Sequence, residues 1–329
     1  MRIVVVDTMG GLGDLLLALP LIEGVARSHP DAETTVVTTA PWHVLLERDP
    51  RLHAVVPVPG RDAEAVLGAV RPVLEALRPD LAITTNRQHG LPELLERTAR
   101  RAVTDLWRRP PADELVDLRM LRLLVEDGVV APAFATLPPR LVLDAGERAA
   151  GRRLLDGLAP ARPVLLFPDS GMRVKRWPLD AWAATAAGLR DRGWTPLVVA
   201  EVEEQRAALE AAGAVVVPPL GLRALAGLCA AAAERDGRAV GGDTGPVRLA
   251  AAAGLGVVGL FGPTVAARYG YRGGATADLQ GFPECPVRTP TAITEQECWW
   301  TARCPLTDDH GPRCMRAIRP ADVLGALAA

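Results

Sequence analysis

The chain has 329 residues, 49% of them apolar, which is too long for one ordinary domain and suits two of about 150 residues, each with its own core. Its formal net charge of −2, with acids interleaved among arginine pairs such as Arg100-Arg101 and Arg108-Arg109, excludes a basic surface for nucleic acid. No apolar run reaches the ~18 residues of a membrane span, and the opening Met1–Asp7 is too short for a signal peptide, so a soluble, cytoplasmic protein without a transmembrane segment is expected.

Strand and helix signals alternate from the start. Arg2–Val6 is a β-branched run, and Asp14–Ala26 is apolar at helical spacing. Thr34–Thr38, Ala54–Val58 and Leu81–Thr84 read as further strands, with helical patterns at Asp62–Leu77 and Leu91–Arg101. The proline-rich stretch Pro132–Arg140, with the helix Ala145–Leu158 after it, is the candidate linker. The alternation then restarts. Strands are expected at Pro163–Phe167, Thr195–Ala200, Ala214–Val217, a segment ending Ala239-Val240, and Val257–Phe261. Helices are expected at Leu179–Arg190, Glu203–Ala212, Leu222–Ala232 and Pro246–Ala253. Gly262–Arg316 reads as loops carrying cysteines, and Pro320–Ala329 as a closing helix. The order implies two Rossmann-like α/β domains with parallel sheets facing a central cleft, divided as residues 1–150, 151–318 and the tail 319–329.

Three loops follow strands and carry polar residues. The first, Met9 to Asp14, has Gly10, Gly11 and Gly13, which permit a tight turn and close approach of a ligand. It lacks the third glycine of the dinucleotide fingerprint, and no acid for a ribose ends the second strand. Asp14 at the helix start serves equally as an acid favoured by the helix dipole and as a base for a sugar hydroxyl. The second loop, Pro168 to Pro178, holds Ser170, Gly171 and Lys175. Lys175 is the sole lysine against 36 arginines, which points to a site where guanidinium does not replace a compact ammonium. The third, Gly241 to Arg248, holds Asp243, Thr244, Gly245 and Pro246 at a helix start. This is both an ordinary cap and a site for a diphosphate, which Arg248 one turn on could also reach.

In this order the blocks resemble glycosyltransferase family 9, the ADP-heptose heptosyltransferases. They are Leu12-Gly13-Asp14, Lys175-Arg176-Trp177-Pro178, Asp243-Thr244-Gly245 and Phe261-Gly262-Pro263-Thr264. The resemblance implies a GT-B fold, inversion at the anomeric carbon, and no catalytic cofactor. It implies Asp14 as base, Lys175 neutralising the leaving diphosphate of an ADP-heptose-like donor, Thr244 and Gly245 as a backbone anion site, and Glu203 or Glu204 on ribose hydroxyls. The family usually has histidine where this chain has Arg248. The acceptor is read as a natural-product scaffold or other small molecule, or as a protein. The Asn86–His89 loop is the candidate acceptor contact.

Cys285, Cys298, Cys304 and Cys314 lie close in sequence and can wrap one structural zinc or iron; disulfides or free buried thiols are the alternatives. His310 is a spare candidate ligand. Two other functions compete with sugar transfer. One is a nucleotide-sugar-binding protein that has lost the chemistry. The other is an NAD-dependent dehydrogenase, which leaves the second and third loops unexplained.

Overall fold

The computed structural model describes residues 1–307 and 311–328. It divides into two compact units, Met1–Pro110 with Val116–Asp144, and Pro111–Leu115 with the chain from Ala145 onward.

The first unit contains β1 (Arg2–Asp7), α1 (Leu12–Ser28), β2 (Glu33–Thr39), β3 (Ala54–Val58), α2 (Ala63–Leu77), β4 (Leu81–Thr84), α3 (Leu91–Thr98), β5 (Ala102–Val103) and α4 (Val116–Glu126). Its strands form a parallel sheet in the order β3-β2-β1-β4-β5. Every residue of β1 after Arg2 is buried. Only a central strand covered on both faces accepts such a run, as parallel sheets require. Val4, Val6, Val37 and Ala82 pack one face against Val66, Val70 and Leu74 of α2. Asp62 starts that helix by accepting the Ala65 N–H at 3.0 Å.

The second unit contains α5 (Ala145–Leu158), β6 (Pro163–Phe167), α6 (Leu179–Arg190), β7 (Thr195–Val198), α7 (Glu203–Ala211), β8 (Val215–Val216), α8 (Leu222–Ala233), β9 (Arg238–Gly242), α9 (Gly245–Ala252), β10 (Gly256–Phe261), α10 (Ala266–Tyr269), β11 (Thr276–Gln280), α11 (Glu297–Thr301), α12 (Arg313–Arg316) and α13 (Pro320–Ala326). Its parallel sheet runs β11-β10-β9-β6-β7-β8. Trp177 and Trp182 meet edge to face with ring centroids 5.0 Å apart, and the Trp177 indole donates to the Ile318 carbonyl at 3.0 Å. Val323, Leu324 and Leu327 fill the same core, so the closing helix completes this unit.

The α/β alternation appears as the sequence implies. The region read as loops differs: Gly262–Arg316 includes β11, α10, α11 and α12. β11 is half-buried along its length at the sheet edge, so its sequence shows neither a buried run nor a clean alternation. Two-residue β5 is too short to signal itself. No helix among the described residues is long and apolar enough to cross a membrane.

Helices α5 and α8 cross at two glycines. A side chain at Gly151 would run into the Gly227 carbonyl, and one at Gly227 would sit 2.8 Å from the Glu147 carbonyl. Gly151→Val should therefore cost about 2 kcal/mol or more, the scale of overpacking a tight contact. Urea unfolding checks this; an unchanged midpoint would mean that the crossing is not close.

Candidate functional site

In open parallel sheets ligands gather beyond the carboxyl ends of the strands, where the strand order reverses. In the second sheet that point lies between β6 and β9, since connections from β6 run one way to β7 and from β9 the other way to β10. The two loops singled out in this half follow these two strands.

Their side chains meet. The Lys175 ammonium donates to the Asp243 carboxylate at 2.9 Å and to the Asp243 carbonyl at 3.1 Å. From the other side Arg248 reaches the second Asp243 oxygen at 2.5 Å and also donates to the Tyr269 carbonyl at 2.6 Å. Asp243 and Arg248 are buried and the Lys175 side chain nearly so. Burial opposes ionisation of Asp243, but the charges and hydrogen bonds of Lys175 and Arg248 outweigh it and hold the carboxyl below the usual range. The Tyr271 ring lies 5.1 Å from the Arg248 guanidinium, and its hydroxyl donates to the Gly242 carbonyl at 2.7 Å. Burial pushes that hydroxyl up. Behind it Asp278 accepts the Tyr271 N–H at 3.1 Å, and burial pushes this carboxyl up to about 6.

Thr244 stands in extended backbone as the residue before α9, whose first two positions are Gly245 and Pro246. The Thr244 hydroxyl is shut off from solvent and has no hydrogen-bond partner among the described residues. Such a group is expensive unless something binds it. Ser170 is buried, its hydroxyl bonded to the Met172 backbone, while Gly171 is exposed and has open space around its Cβ direction. Glu203 and Glu204 lie exposed in the first turn of α7, Glu203 paired with Arg206.

In the first unit the corresponding ends are those of β1 and β4. Asp14 is the third residue of α1 and its carboxylate folds back to accept the Gly11 N–H at 2.8 Å. A side chain at Gly10 would collide with that carboxylate and displace it from the Gly11 N–H. Gly13 lies in the same first turn. Behind the loop is a group the sequence reading missed. Asp7, fully buried at the end of β1, accepts a hydrogen bond from the Thr85 hydroxyl at 2.6 Å, and Asn86 donates to the Thr8 hydroxyl at 3.1 Å. Asn86 is thus a buried strut of this network, and of the candidate acceptor loop Arg87 and Gln88 are exposed.

The four cysteines are free thiols and divide between packing environments. Cys298 belongs to an apolar cluster with Val174 and Trp299, Cys314 to the core around Trp177 and Met315. Burial pushes Cys314 up to about 12, against the Arg288 charge and with smaller contributions in the same direction from the nearby Cys285 and Cys298. Among the described residues no three His, Cys, Asp or Glu side chains converge as a metal-ligand set, so the expected zinc or iron site is not formed as the thiols stand. His310 lies outside the described residues.

Comparison with known proteins follows the motifs. Residues 117–279 match the model of glycosyltransferase family 9 (heptosyltransferase). That stretch carries three of the four blocks, and the family resemblance is borne out. Over 153 residues the chain is 33% identical to lipopolysaccharide heptosyltransferase 1 of Pseudomonas aeruginosa, a match covering 44% of this chain and 42% of that enzyme, less than half its length. The glycosyl transferase family 9 structure from Veillonella parvula superposes with a TM-score of 0.77 at 17% identity, over 99% of this chain and 96% of that one. The E. coli ADP-heptose lps heptosyltransferase II gives 0.70 at 19%, over 100% and 98%. At these identities the structural likeness shows the fold, which is GT-B.

Asp7 gives a pH test within the first unit. Burial pushes its carboxyl from 3.8 up to about 6; the Thr85 hydrogen bond lowers it and the Asp14 charge raises it. A carboxyl raised in the folded state favours folding while it is protonated, and that contribution drains away as pH climbs through the folded value. Relative to wild type, Asp7→Asn should gain about 3 kcal/mol of stability between the ordinary carboxylate value and neutral pH. A stability difference that does not change with pH would refute a buried, raised Asp7.

Proposed function

We propose that the chain is an inverting glycosyltransferase that moves a heptose or related sugar from a nucleoside diphosphate sugar, ADP-heptose first, to a hydroxyl acceptor. The observation that carries this reading is the Lys175–Asp243 pair, 2.9 Å long, at the strand-order reversal beside the start of α9. A diphosphate bound there would meet the ammonium, the first backbone N–H groups of α9 and the unsatisfied Thr244 hydroxyl. Asp243 holds the ammonium in place through its carboxylate and carbonyl.

The chemistry assigned to the residues balances without a cofactor. The acceptor hydroxyl gives its proton to Asp14. Its oxygen forms a bond to the anomeric carbon on the face opposite the diphosphate. The bond from that carbon to the diphosphate oxygen breaks, and the nucleoside diphosphate leaves with the electron pair. Lys175 and the α9 N-terminus stabilise the charge that develops on it. Ser170 and Gly171 border the loop on the β6 side, and Glu203 or Glu204 is assigned to the ribose. Arg248 is assigned to the phosphate end of the site through Asp243, which it already holds at 2.5 Å.

The acceptor is assigned by class as a natural-product scaffold or other small molecule, with a protein as the alternative. A binding protein on the same fold is the second reading, favoured by Arg248 being committed to Asp243 and Tyr269. Release of nucleoside diphosphate from the donor in the presence of acceptor pools separates the two. We further propose a structural zinc or iron at Cys285, Cys298, Cys304 and Cys314, whose binding would deprotonate the thiols and draw them together. Elemental analysis of chelator-free protein tests it: about one ion per chain is expected, and a metal-free, fully active preparation would refute it.

Asp14→Asn should cut turnover about 10²–10⁴-fold and leave ADP affinity unchanged, since it removes only the base. Turnover within a few-fold of wild type would remove Asp14 from this role. Lys175→Ala should weaken ADP binding about 10-fold or more, the scale of a lost charge-assisted hydrogen bond. Calorimetric titration reads this directly, and unchanged affinity would refute a phosphate contact.

A further inference from the structure

We infer that Trp299, from the cysteine-rich segment, is a positioning residue for Lys175, and that this segment is thereby a working part of the donor site. The inference rests on the reading of Lys175 as a diphosphate ligand.

Lys175 closes the short turn Arg173–Lys175 that follows β6, its N–H bonded to the Met172 carbonyl at 2.9 Å. Val174 in the middle of that turn is fully buried, and it is not buried in the main core of the unit. It packs instead against Cys298 and Trp299 of α11, with Met172, Ile293 and Ala302 around them. The cysteine-rich segment therefore forms the floor under the turn that carries the lysine. The contact extends to the functional atom: the Lys175 ammonium lies 5.2 Å from the centroid of the Trp299 ring, within range of a cation–π attraction.

The ammonium has three N–H bonds. Two are taken by the carboxylate and carbonyl of Asp243. The indole, itself buried, covers a further side of the ammonium with a surface that attracts the cation and accepts no strong hydrogen bond. That leaves one N–H with a restricted direction. A lysine has a flexible four-carbon stem, so its ordinary cost in binding an anion is the loss of that freedom. With Asp243 on one side and Trp299 on another, much of that freedom is lost before the ligand arrives, and water is kept from the covered side, where it would weaken attraction to a phosphate. The segment's sequence draws attention to its thiols; its contribution to the donor site comes from the residue beside one of them.

The test is a double-mutant cycle read as ADP affinity by calorimetry on the full chain, with Trp299→Leu, Trp299→Phe, Lys175→Ala and the Trp299→Leu/Lys175→Ala pair. Trp299→Leu should weaken ADP binding about fivefold, as loss of a cation–π contact implies, while Trp299→Phe, which keeps a π face, stays within about twofold of wild type. In the Lys175→Ala background Trp299→Leu should cost less than about twofold, because there is no ammonium left to position. Thermal melts report packing separately: a merely structural Trp299 lowers stability alike in both backgrounds. Equal affinity losses in both backgrounds, or unchanged affinity in Trp299→Leu, would overturn the inference and leave the donor-site reading standing. If Trp299→Leu does not fold, a Trp299→Phe variant that loses affinity as severely as Lys175→Ala would overturn it. Absence of ADP binding by the wild type would overturn both.

Discussion

The second unit depends on one buried carboxylate. Asp243 is held between an ammonium and a guanidinium, and it is ionised because of them. Removing one partner of such a cluster leaves an uncompensated buried charge, typically at a cost of about 3–5 kcal/mol, so the three side chains behave as one object. The elements around it follow from that constraint. β6 and β9 must be adjacent for Lys175 and Asp243 to meet, and the first turn of α9 must bring Arg248 back onto the same carboxylate. Tyr271 and Asp278 then close the side of the cluster nearest β11. An anion arriving at Lys175 would meet a cation that is already placed and so would cost little reorganisation.

The first unit uses the same position in its sheet for a different purpose. Here the strand ends carry an acid, hydroxyls and an amide: Thr85 bonds Asp7, and Asn86 bonds Thr8. Asp14 lies in front of that network, bonded to the Gly11 N–H and accommodated by the absence of a side chain at Gly10. The first unit thus gathers carboxyl groups at this position, and the second gathers cations around Asp243. The two sheets share a topology at the reversal point and differ in the charge they gather there.

Much of this was legible in the residues. The alternation of β-branched runs and helical periods predicts both parallel sheets, because strands buried on two faces leave unmistakable runs such as Ile3–Val6 and Val164–Phe167. Lys175 stood out through composition alone, and Asp243 through its place before a helix. Other features were hidden for physical reasons. Asp7 reads as an ordinary strand end, since only the fold brings Thr85 to it across 78 residues. Tyr271, Asp278 and β11 lie in a region without clean periodicity, because an edge strand is half-exposed on both faces. Trp299 was overshadowed by the neighbouring cysteines. Closeness in sequence brings these thiols within electrostatic reach of one another, while packing seats Cys298 and Cys314 in separate apolar clusters, which spacing alone does not reveal.

Lys175, Asp243 and the start of α9 form the proposed anion site before any ligand is bound. A crystal structure of the protein with bound ADP tests that claim most directly. Expected are a terminal phosphate oxygen within hydrogen-bond distance of the Lys175 ammonium, the Gly245 backbone and Thr244 hydroxyl turned toward the diphosphate, and the Asp243–Arg248 pair intact. ADP bound with its phosphates away from Lys175, or a Lys175 side chain that abandons Asp243 without touching phosphate, would contradict it.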